Sequence, residues 1–381
     1  MVENTVAYLI ERPPASPGPS LTAKDQLMIT TQLGRTGLNV TRTAFGVLPL
    51  QRTPMDEAER ILRRAFDAGI NYYDTARYYT DSEEKIGRAL SGVRDKVIIA
   101  TKSGATTREG LEADLQTSLR NLKTDYIDIL QLHNPKTISG KPAQSDPSDL
   151  TDLSDPNSPY AALLDAKEKG LVRHIGITNH SRELAIKAVE SGVFETLQFP
   201  LCHISSPEDL AVIDLCKAHD VGLIAMKPLS GGLLTEARPA FAFLRQFENV
   251  VPIWGFQRME ELEEMLALDA DPPSMDEATW ATVERDRREL SSDFCRACGY
   301  CLPCSADIPI PMAARMILLL RRMPYQQFMT DHWRAQMRKI ESCTNCGHCI
   351  SHCPYGLDTP ALLRKALEDY DRFVEEHAPV E

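Results

Sequence analysis

The sequence predicts an α/β fold: a (β/α)8 TIM barrel followed by a small, mainly helical, cysteine-rich domain. Strand-like and helix-like segments alternate about eight times within roughly 230 residues, which is the size of one such barrel. Three successive strands end on Asp74, Lys102 and His133, and eight of the ten cysteines lie between Cys295 and Cys353. A doubly wound open sheet is the alternative, but the chain has no Gly-x-Gly-x-x-Gly turn after a strand.

Composition limits the kind of partner. The 381 residues are 43% hydrophobic and 25% charged, which is typical of globular proteins and sufficient for two unequal domains. The net charge of -12 gives no support for binding to nucleic acid or an anionic membrane, so a small molecule is the expected partner. No apolar run approaches the roughly 20 residues of a membrane span, and no signal-like start is present. With the cysteines crowded at one end, we expect a cytoplasmic protein.

The elements follow a regular order after a proline-rich segment. Residues 1–26 hold four prolines among small polar residues and are predicted to be flexible. Residues 28–37 alternate and turn on glycine, as a hairpin closing the barrel floor would. The barrel domain is predicted over 27–285, with strands over 42–49, 71–75, 97–102, 127–132, 174–178, 195–200, 222–228 and 250–255. Helices are predicted over 55–69, 82–91, 108–123, 159–169, 181–191, 206–219, 238–247 and 258–268, and the cysteine-rich domain over 286–381.

The connection over residues 134–158 is long for a strand-to-helix loop, which usually has two to six residues. It is rich in proline, serine and threonine, and it leaves the predicted strand directly after His133. We therefore interpret it as a lid over the strand ends. A plain spacer is the alternative.

Four side chains near the strand ends suit proton transfer to a carbonyl oxygen. Tyr79 follows Asp74 by five residues, and an ammonium such as that of Lys102 is expected to lower the pKa of its phenol. Asp74 would hold Lys102 in place, and a neutral His133 could donate a hydrogen bond to the oxygen on which negative charge develops. The alternatives are a structural salt bridge for Asp74 and Lys102 and a core position for His133. Tyr78 is a second candidate acid, but alternation of side-chain direction favours Tyr79.

These residues resemble the motifs of the aldo-keto reductase family over residues 28–270. The motif positions are Asp74-Thr-Ala, Tyr79, Thr101-Lys102, Leu132-His133 and Val172-Arg-His-Ile-Gly-Ile-Thr-Asn179. The resemblance implies an oxidoreductase that interconverts a small-molecule carbonyl and alcohol with NADP or NAD, and Asp74, Tyr79, Lys102 and His133 as its catalytic residues. The cofactor-binding residues that it implies are Thr178, Asn179, Gln198, Met226, Lys227, Pro228, Leu229, Gly231, Gly255, Gln257 and Arg258.

Two positions depart from the family's pattern. Met226 stands where many members stack an aromatic ring on the nicotinamide, although methionine can pack against a ring through its sulfur. Gln257 stands where an arginine often binds the 2′-phosphate, and Arg258 is next to it. A guanidinium is the better bidentate partner for a phosphate. NADP is therefore predicted, with NAD allowed.

Two runs of four cysteines predict iron–sulfur ligation. The run from Cys343 to Cys353 has bacterial ferredoxin spacing and a closing proline, whereas the run from Cys295 to Cys304 has one residue fewer before its fourth cysteine. The runs also read as a degenerate repeat. Eight thiolates favour two [4Fe-4S] clusters whose fourth ligands cross: Cys295, Cys298, Cys301 and Cys353 around one, and Cys343, Cys346, Cys349 and Cys304 around the other. Zinc is the alternative, because Cys-x-x-Cys pairs also hold zinc.

An apolar helix is predicted over residues 311–320, between the two runs. The whole architecture resembles a subgroup of aldo-keto reductases that carry a C-terminal ferredoxin-like extension. Intact catalytic residue types favour an enzyme over an iron–sulfur electron-transfer or redox-sensing protein that uses the barrel as a scaffold. A hydride carries two electrons, whereas a [4Fe-4S] cluster usually accepts one. The clusters are therefore interpreted as structural, as sensory, or as serving a redox partner protein.

Overall fold

The computed structural model describes residues 28–135, 155–290, 294–297, 299, 301–322, 325–353 and 355–377. The predicted N-terminal segment 1–26 lies outside these ranges. So does most of the predicted lid, of which only residues 134, 135 and 155–158 are described.

A short antiparallel hairpin precedes the barrel, formed by β1 (Thr30–Gln32) and β2 (Asn39–Thr41). The hairpin predicted over 28–37 is present, but its turn falls later, where Leu33 N–H bonds to the Leu38 carbonyl. Gly34 has a φ of +50°, and a Cβ there would lie 2.3 Å from the Gly222 nitrogen. Only glycine fits this close approach. It brings the buried Leu33 into the apolar interior of the barrel.

Eight parallel strands then close into the predicted barrel, which confirms the fold class. They are β3 (Ala44–Gly46), β4 (Tyr72–Asp74), β5 (Ile98–Ser103), β6 (Ile127–His133), β7 (Val172–Thr178), β8 (Thr196–Pro200), β9 (Gly222–Met226) and β10 (Val250–Gly255). Each strand pairs with the next along the chain, and β10 pairs with β3 to close the ring. All eight carboxyl ends therefore lie on one face.

Helices follow the strands, and hydroxyl caps fix where several of them begin. The side chains of Thr107, Ser158, Ser181 and Ser206 each accept a hydrogen bond from a backbone N–H in the first turn. The helices of this part are α1 (Met55–Asp67), α2 (Ser82–Leu90), α3 (Arg108–Leu122), α4 (Pro159–Glu168), α5 (Arg182–Glu190), α6 (Pro207–Ala218), α7 (Ala237–Arg245) and α8 (Met259–Ala270). Short 3-10 helices span Leu48–Arg52 and Ser91–Lys96.

The chain forms two compact units, each built from two separate stretches of sequence. The first unit comprises residues 1–228 and 238–275, and the second comprises residues 229–237 and 276–381. The second therefore includes α9 (Glu277–Leu290), which buries Val283 and Leu290. It also includes the loop Leu229–Ala237, which begins three residues after the end of β9.

The remaining helices of the second unit are short except the last. They are α10 (Ile310–Ala313), α11 (Met316–Arg322), α12 (Asp331–Arg338), α13 (His348–Ser351) and α14 (Thr359–Glu376), with 3-10 helices at Tyr325–Phe328 and Lys339–Ser342. The prediction of a single helix over 311–320 is wrong, because two helices, α10 and α11, occupy this stretch. At the break between them, the Arg315 N–H bonds to the carbonyl of Met312, three residues back instead of four. In the described part of the chain, every helix is too short or too polar to cross a bilayer.

Candidate active site

A buried ion pair lies at the carboxyl ends of β4 and β5. Lys102 Nζ lies 2.6 Å from Asp74 Oδ1 and donates a second hydrogen bond of 2.6 Å to the Thr75 carbonyl. Asp74 is 2% exposed and Lys102 is 1% exposed. Burial raises the pKa of Asp74 and lowers that of Lys102, while their mutual attraction opposes both shifts. Each charge therefore depends on the other, because an unpaired buried charge costs several kcal/mol.

Two glutamine amides complete the surroundings of Asp74. Gln131 Nε2 lies 3.3 Å from Asp74 Oδ2 and 3.0 Å from Gln198 Oε1, and Gln198 Nε2 lies 3.4 Å from Asp74 Oδ1. On the neighbouring strand, a Cβ at Gly176 would lie 3.0 Å from Gln131 Cγ, so this glycine leaves room for the Gln131 side chain. Gln131 was not among the site residues predicted from the sequence. Its position two residues before His133, on the same face of the strand, was the available signal.

Tyr79 lies beside both His133 and Lys102. Its ring meets that of His133 edge to face at 5.8 Å between centroids, and Lys102 Nζ lies 5.5 Å from the centre of the Tyr79 ring. The neighbouring Tyr78 is 60% exposed, and its hydroxyl donates a hydrogen bond to Asp114. The structure thus brings Tyr79, and not Tyr78, together with the other three predicted catalytic side chains.

The pKa of Tyr79 shifts in the direction opposite to the expected one. Burial and the negative charge of Asp74 raise the pKa of Tyr79, whereas an ammonium was expected to lower it. The reason is that Lys102 lies over the ring face and donates to Asp74 and Thr75. Burial, together with the charge of Lys102, lowers the pKa of His133 to about 4. At neutral pH the site therefore presents a protonated phenol and a neutral imidazole.

A second histidine in this part of the barrel was missed. His180 follows Thr178 and Asn179 at the end of β7, and its backbone N–H lies 3.3 Å from Asn134 Oδ1. Burial, then the charges of Lys227 and His133, lower the pKa of His180 to about 3. His180 is therefore another neutral imidazole near the strand ends, and its position directly after a strand was the signal that could have identified it.

The residues predicted to bind the nicotinamide lie at the ends of β7, β8 and β9. Thr178 pairs in register with His133 on one side and with Gln198 on the other. Its hydroxyl donates only a long bond of 3.9 Å to the sulfur of Met226. The side chain of Asn179 donates to the Pro135 carbonyl and accepts from the Ser181 N–H, so it braces the segment that leaves β6.

The residues predicted to hold the phosphates fall into two groups. Met226, Lys227 and Pro228 end the first of the two stretches that make up the barrel unit, and Leu229 and Gly231 lie in the loop that belongs to the second unit. The other group follows β10. Gly255 packs under Pro49, where a Cβ would approach the proline ring to 2.8 Å. The Gln257 backbone N–H bonds to Glu261, and Arg258 forms an ion pair of 2.9 Å with the same glutamate.

The two cysteine runs repeat the same backbone conformation. The residue before the second cysteine is left-handed in both runs, at Ala297 (φ 52°) and Asn345 (φ 53°). Three residues after the fourth cysteine, Asp307 and Gly356 are also left-handed, and each N–H bonds back to the carbonyl of that cysteine. Cys298 lies outside the described residues. The degenerate repeat seen in the sequence is therefore also a structural repeat.

A cavity of about 340 Å³ lies within the second unit between the two runs. A water molecule occupies about 30 Å³ in the liquid, so this volume suits a group much larger than one ion. In the part of the chain that the structure describes, no three His, Cys, Asp or Glu side chains converge closely enough to hold a single metal ion. The cysteines that line the cavity are Cys301, Cys304, Cys343, Cys346 and Cys349.

Contacts join the two cysteine runs at two places. Cys304, the fourth cysteine of the first run, is one of the charges that, with burial, raise the pKa of Cys349. The guanidinium of Arg296, next to Cys295, lies 4.2 Å from the centre of the Tyr355 ring, two residues after Cys353. The donor set fits a thiolate-bound cluster.

A closed barrel with proton-donating side chains gathered at the strand ends defines a barrel enzyme. The chain belongs to the aldo/keto reductase family, whose model matches residues 41–267. Residues 294–358 match the model of the 4Fe-4S dicluster domain. Both resemblances seen in the sequence are thereby confirmed.

Individual relatives match the barrel part of the chain. The chain is 33% identical over 228 residues to the L-galactose dehydrogenase of Arabidopsis thaliana, covering 54% of this chain and 67% of the relative. It is 31% identical over 235 residues to the 6-dehydroglucose reductase of Novosphingobium aromaticivorans, covering 55% and 71%. An aldo-keto reductase from Klebsiella pneumoniae, solved in complex with NADPH, shares the fold at 21% identity with a TM-score of 0.55, covering 68% of this chain and 95% of that one.

Proposed function

We propose that the protein is an NADPH-dependent reductase of small carbonyl compounds that also runs in the direction of alcohol oxidation. The observation that carries this proposal is the grouping of a protonated Tyr79 with a neutral His133 above the Asp74–Lys102 pair. When bound, a nicotinamide supplies the hydride. The protein's own residues hold the carbonyl and deliver the proton.

The proton step follows from the two rings. Tyr79 and His133 meet edge to face, so a carbonyl oxygen between their polar atoms could accept hydrogen bonds from both. The phenol keeps its proton until negative charge develops on that oxygen, because burial disfavours the phenolate. The neutral imidazole donates without adding charge, and it stabilises the oxygen most when the oxygen is most negative.

The Asp74–Lys102 pair sets the electrostatics beneath the rings. Lys102 lies over the Tyr79 ring face while Asp74 and the Thr75 carbonyl fix its ammonium. Asp74 is itself held by the two glutamine amides. We infer that this network keeps the ammonium at a constant distance from the Tyr79 ring and thereby positions the phenol for proton donation.

The nucleotide site follows the predicted residues. The Thr178 hydroxyl has a weak sulfur acceptor and is free to turn towards a carboxamide. We further propose that Asn179, Gln198, Met226, Lys227, Pro228, Leu229, Gly231, Gly255 and Gln257 line the nucleotide, as the family resemblance implies. Arg258 is the proposed partner of the 2′-phosphate. Its side chain is 68% exposed and its ion pair with Glu261 is at the surface, where such a pair contributes about 0–1 kcal/mol. Arg258 can therefore leave Glu261 for a phosphate at little cost.

The second unit would hold two [4Fe-4S] clusters. The proposed ligand sets are the crossed ones, and the cavity between the runs supports the set of Cys343, Cys346, Cys349 and Cys304. The sugar-derived substrates in the names of the relatives suggest hexoses and their oxidised derivatives as the first substrates to test.

A pair of adjacent tyrosines provides the test. Tyr79→Phe should lower kcat by about 10²–10⁴-fold, because it removes one general acid. The Kd of NADPH should change less than about twofold, since the hydroxyl acts mainly in the transition state. Steady-state reduction of a carbonyl panel, with NADPH binding measured by fluorescence, checks both.

Tyr78→Phe is the matched control, because it removes the same atom one residue away on an exposed ring. It should retain wild-type kcat. Full activity of Tyr79→Phe would remove this residue from the proton step and with it the proposed mechanism.

A further inference from the structure

The residues on both sides of the loop Leu229–Ala237 in the sequence belong to the barrel unit, but the loop itself packs in the C-terminal unit. It begins three residues after β9 and leads directly into α7, both of which belong to the barrel unit. The residues between pack with the C-terminal unit. Leu233 and Leu234 are buried, and Ser230, Gly231 and Gly232 are consecutively left-handed. A loop with such a backbone needs outside support to keep one conformation.

The first support is Arg315, between α10 and α11. A Cβ on Gly231 would lie 3.4 Å from Arg315 Nη2, so the guanidinium lies directly against the loop backbone. Arg315 is 9% exposed. Within the described ranges, its Nε has no hydrogen-bond partner. A guanidinium buried at this point is costly unless its charge is used.

Arg315 also lies within electrostatic reach of Cys295. Cys295 is one of the proposed ligands of the first cluster. The guanidinium therefore lies between a cluster ligand and the loop on which an anionic pyrophosphate is proposed to rest.

The second support is Arg285 on α9. Its Nη2 lies 2.8 Å from Glu236 Oε1, near the end of the loop. Both side chains are about half exposed, at 46% and 55%. This pair should contribute less than Arg315, because surface ion pairs are screened by water.

We propose that Arg315 and Arg285 are positioning residues for the nucleotide, which hold the loop Leu229–Ala237 in the conformation that receives the pyrophosphate. This inference rests on the proposed nucleotide-dependent function. The proposed effect is on nucleotide affinity, and no electron passes between cluster and nucleotide.

Hydrogen exchange of the loop amides, measured without nucleotide, tests whether Arg315 and Arg285 hold the loop in one conformation. In the full-length, cluster-loaded protein, Arg315→Met should speed exchange in residues 229–237 by about tenfold, and Glu236→Gln by about two- to fivefold. Arg338→Gln is the matched control, because Arg338 forms exposed ion pairs with Glu341 and Asp371 in the same unit. It should leave the loop unchanged.

Steady-state kinetics test whether the loop conformation sets the affinity for the nucleotide. Arg315→Met should raise the KM of NADPH by about tenfold and leave kcat and the KM of the carbonyl within about twofold, because the proposed role of the loop is to receive the pyrophosphate and not the carbonyl. Exchanging the charges in Glu236→Arg/Arg285→Glu should restore most of what Glu236→Gln loses.

The outcomes distinguish this inference from the function on which it rests. Unchanged exchange in Arg315→Met, or faster exchange with unchanged NADPH affinity, would overturn the inference while the proposed function stands. A wild-type protein that binds no NADPH would overturn both.

Discussion

Single residues set the proton affinities of the site. The pKa of His133 falls to about 4 because the ring is largely buried and Lys102 adds a like charge. The ordinary histidine value is near 6.5. Between these two values the unfolded chain binds a proton that the folded chain does not, so the free energy of unfolding must fall as the pH falls through this window.

This gives a prediction with a defined sign. Wild-type protein should lose stability more steeply between pH 6.5 and pH 4.5 than His133→Asn, since the variant lacks the group whose protonation favours unfolding. Urea unfolding at several pH values, followed by tryptophan fluorescence, measures the two slopes. Effects of acid on the clusters are common to both proteins and cancel in the comparison.

His219→Asn is the control, because His219 is exposed at the end of α6. It measures the effect of a histidine-to-asparagine change outside the buried site. Equal slopes for wild type and His133→Asn would show that His133 titrates as an ordinary histidine.

The sequence predicted residue identities at the site better than residue environments. Alternation along the strand selected Tyr79 over Tyr78, and the structure places only Tyr79 beside Lys102 and His133. The direction of the Tyr79 pKa could not be predicted, because it depends on which atoms of Lys102 face the ring. Gln131 was missed because its contact with Asp74 requires the space left by Gly176 on another strand.

At the scale of elements, the cysteine runs behave as two copies of one motif. The residues after their fourth cysteines share backbone hydrogen bonds, such as those from Ile310 to Ile308 and from Thr359 to Leu357, although the first run is one residue shorter. Of the two fourth cysteines, Cys304 lines one cavity with Cys343, Cys346 and Cys349 of the other run. Crossed ligation follows as a prediction about which cluster each cysteine holds.

Protein purified without oxygen should carry about eight iron and eight sulfide per chain, because two cubanes need four of each. If ligation crosses, Cys304→Ala should impair the cluster of the second run and spare that of the first. Cys353→Ala should do the reverse. Paramagnetic resonance of the reduced variants, each compared with a knock-out of one whole run, assigns the losses.

Local ligation would reverse this pattern, so each change would damage its own run. Zinc in place of iron and sulfide would end the ferredoxin interpretation altogether. A spectrum with one cluster in the wild type would show that the shorter run is not a complete ligand set.

Element boundaries followed from the sequence where caps or glycines mark them. Serine and threonine caps place α3 to α6 within about two residues of prediction. The break between α10 and α11 was not predictable, since Met312 to Leu320 reads as one apolar run and the division depends on the buried place of Arg315.

At the scale of the whole molecule, each of the two compact units is assembled from two separate stretches of sequence. The loop Leu229–Ala237 comes from the middle of the barrel sequence and packs in the C-terminal unit. No periodicity in Leu-Ser-Gly-Gly-Leu-Leu-Thr-Glu-Ala reveals this. Two arginines contact this loop: Arg315 lies against Gly231, and Arg285 pairs with Glu236. Both lie about fifty to eighty residues further along the chain.

In the proposed reaction, a hydride passes from NADPH to a carbonyl carbon while Tyr79 delivers the proton. The most direct test is a reaction of the full-length, anaerobically purified protein with NADPH deuterated at the nicotinamide C4, using hexose-derived ketones and small aldehydes. In a fixed reaction time, mass spectrometry should find alcohol with one deuterium on the former carbonyl carbon from the wild type and from Tyr78→Phe, and about 10²–10⁴-fold less of the same labelled alcohol from Tyr79→Phe. Alcohol without deuterium from the wild type, or an equal amount of labelled alcohol from Tyr79→Phe, would contradict the proposed reaction.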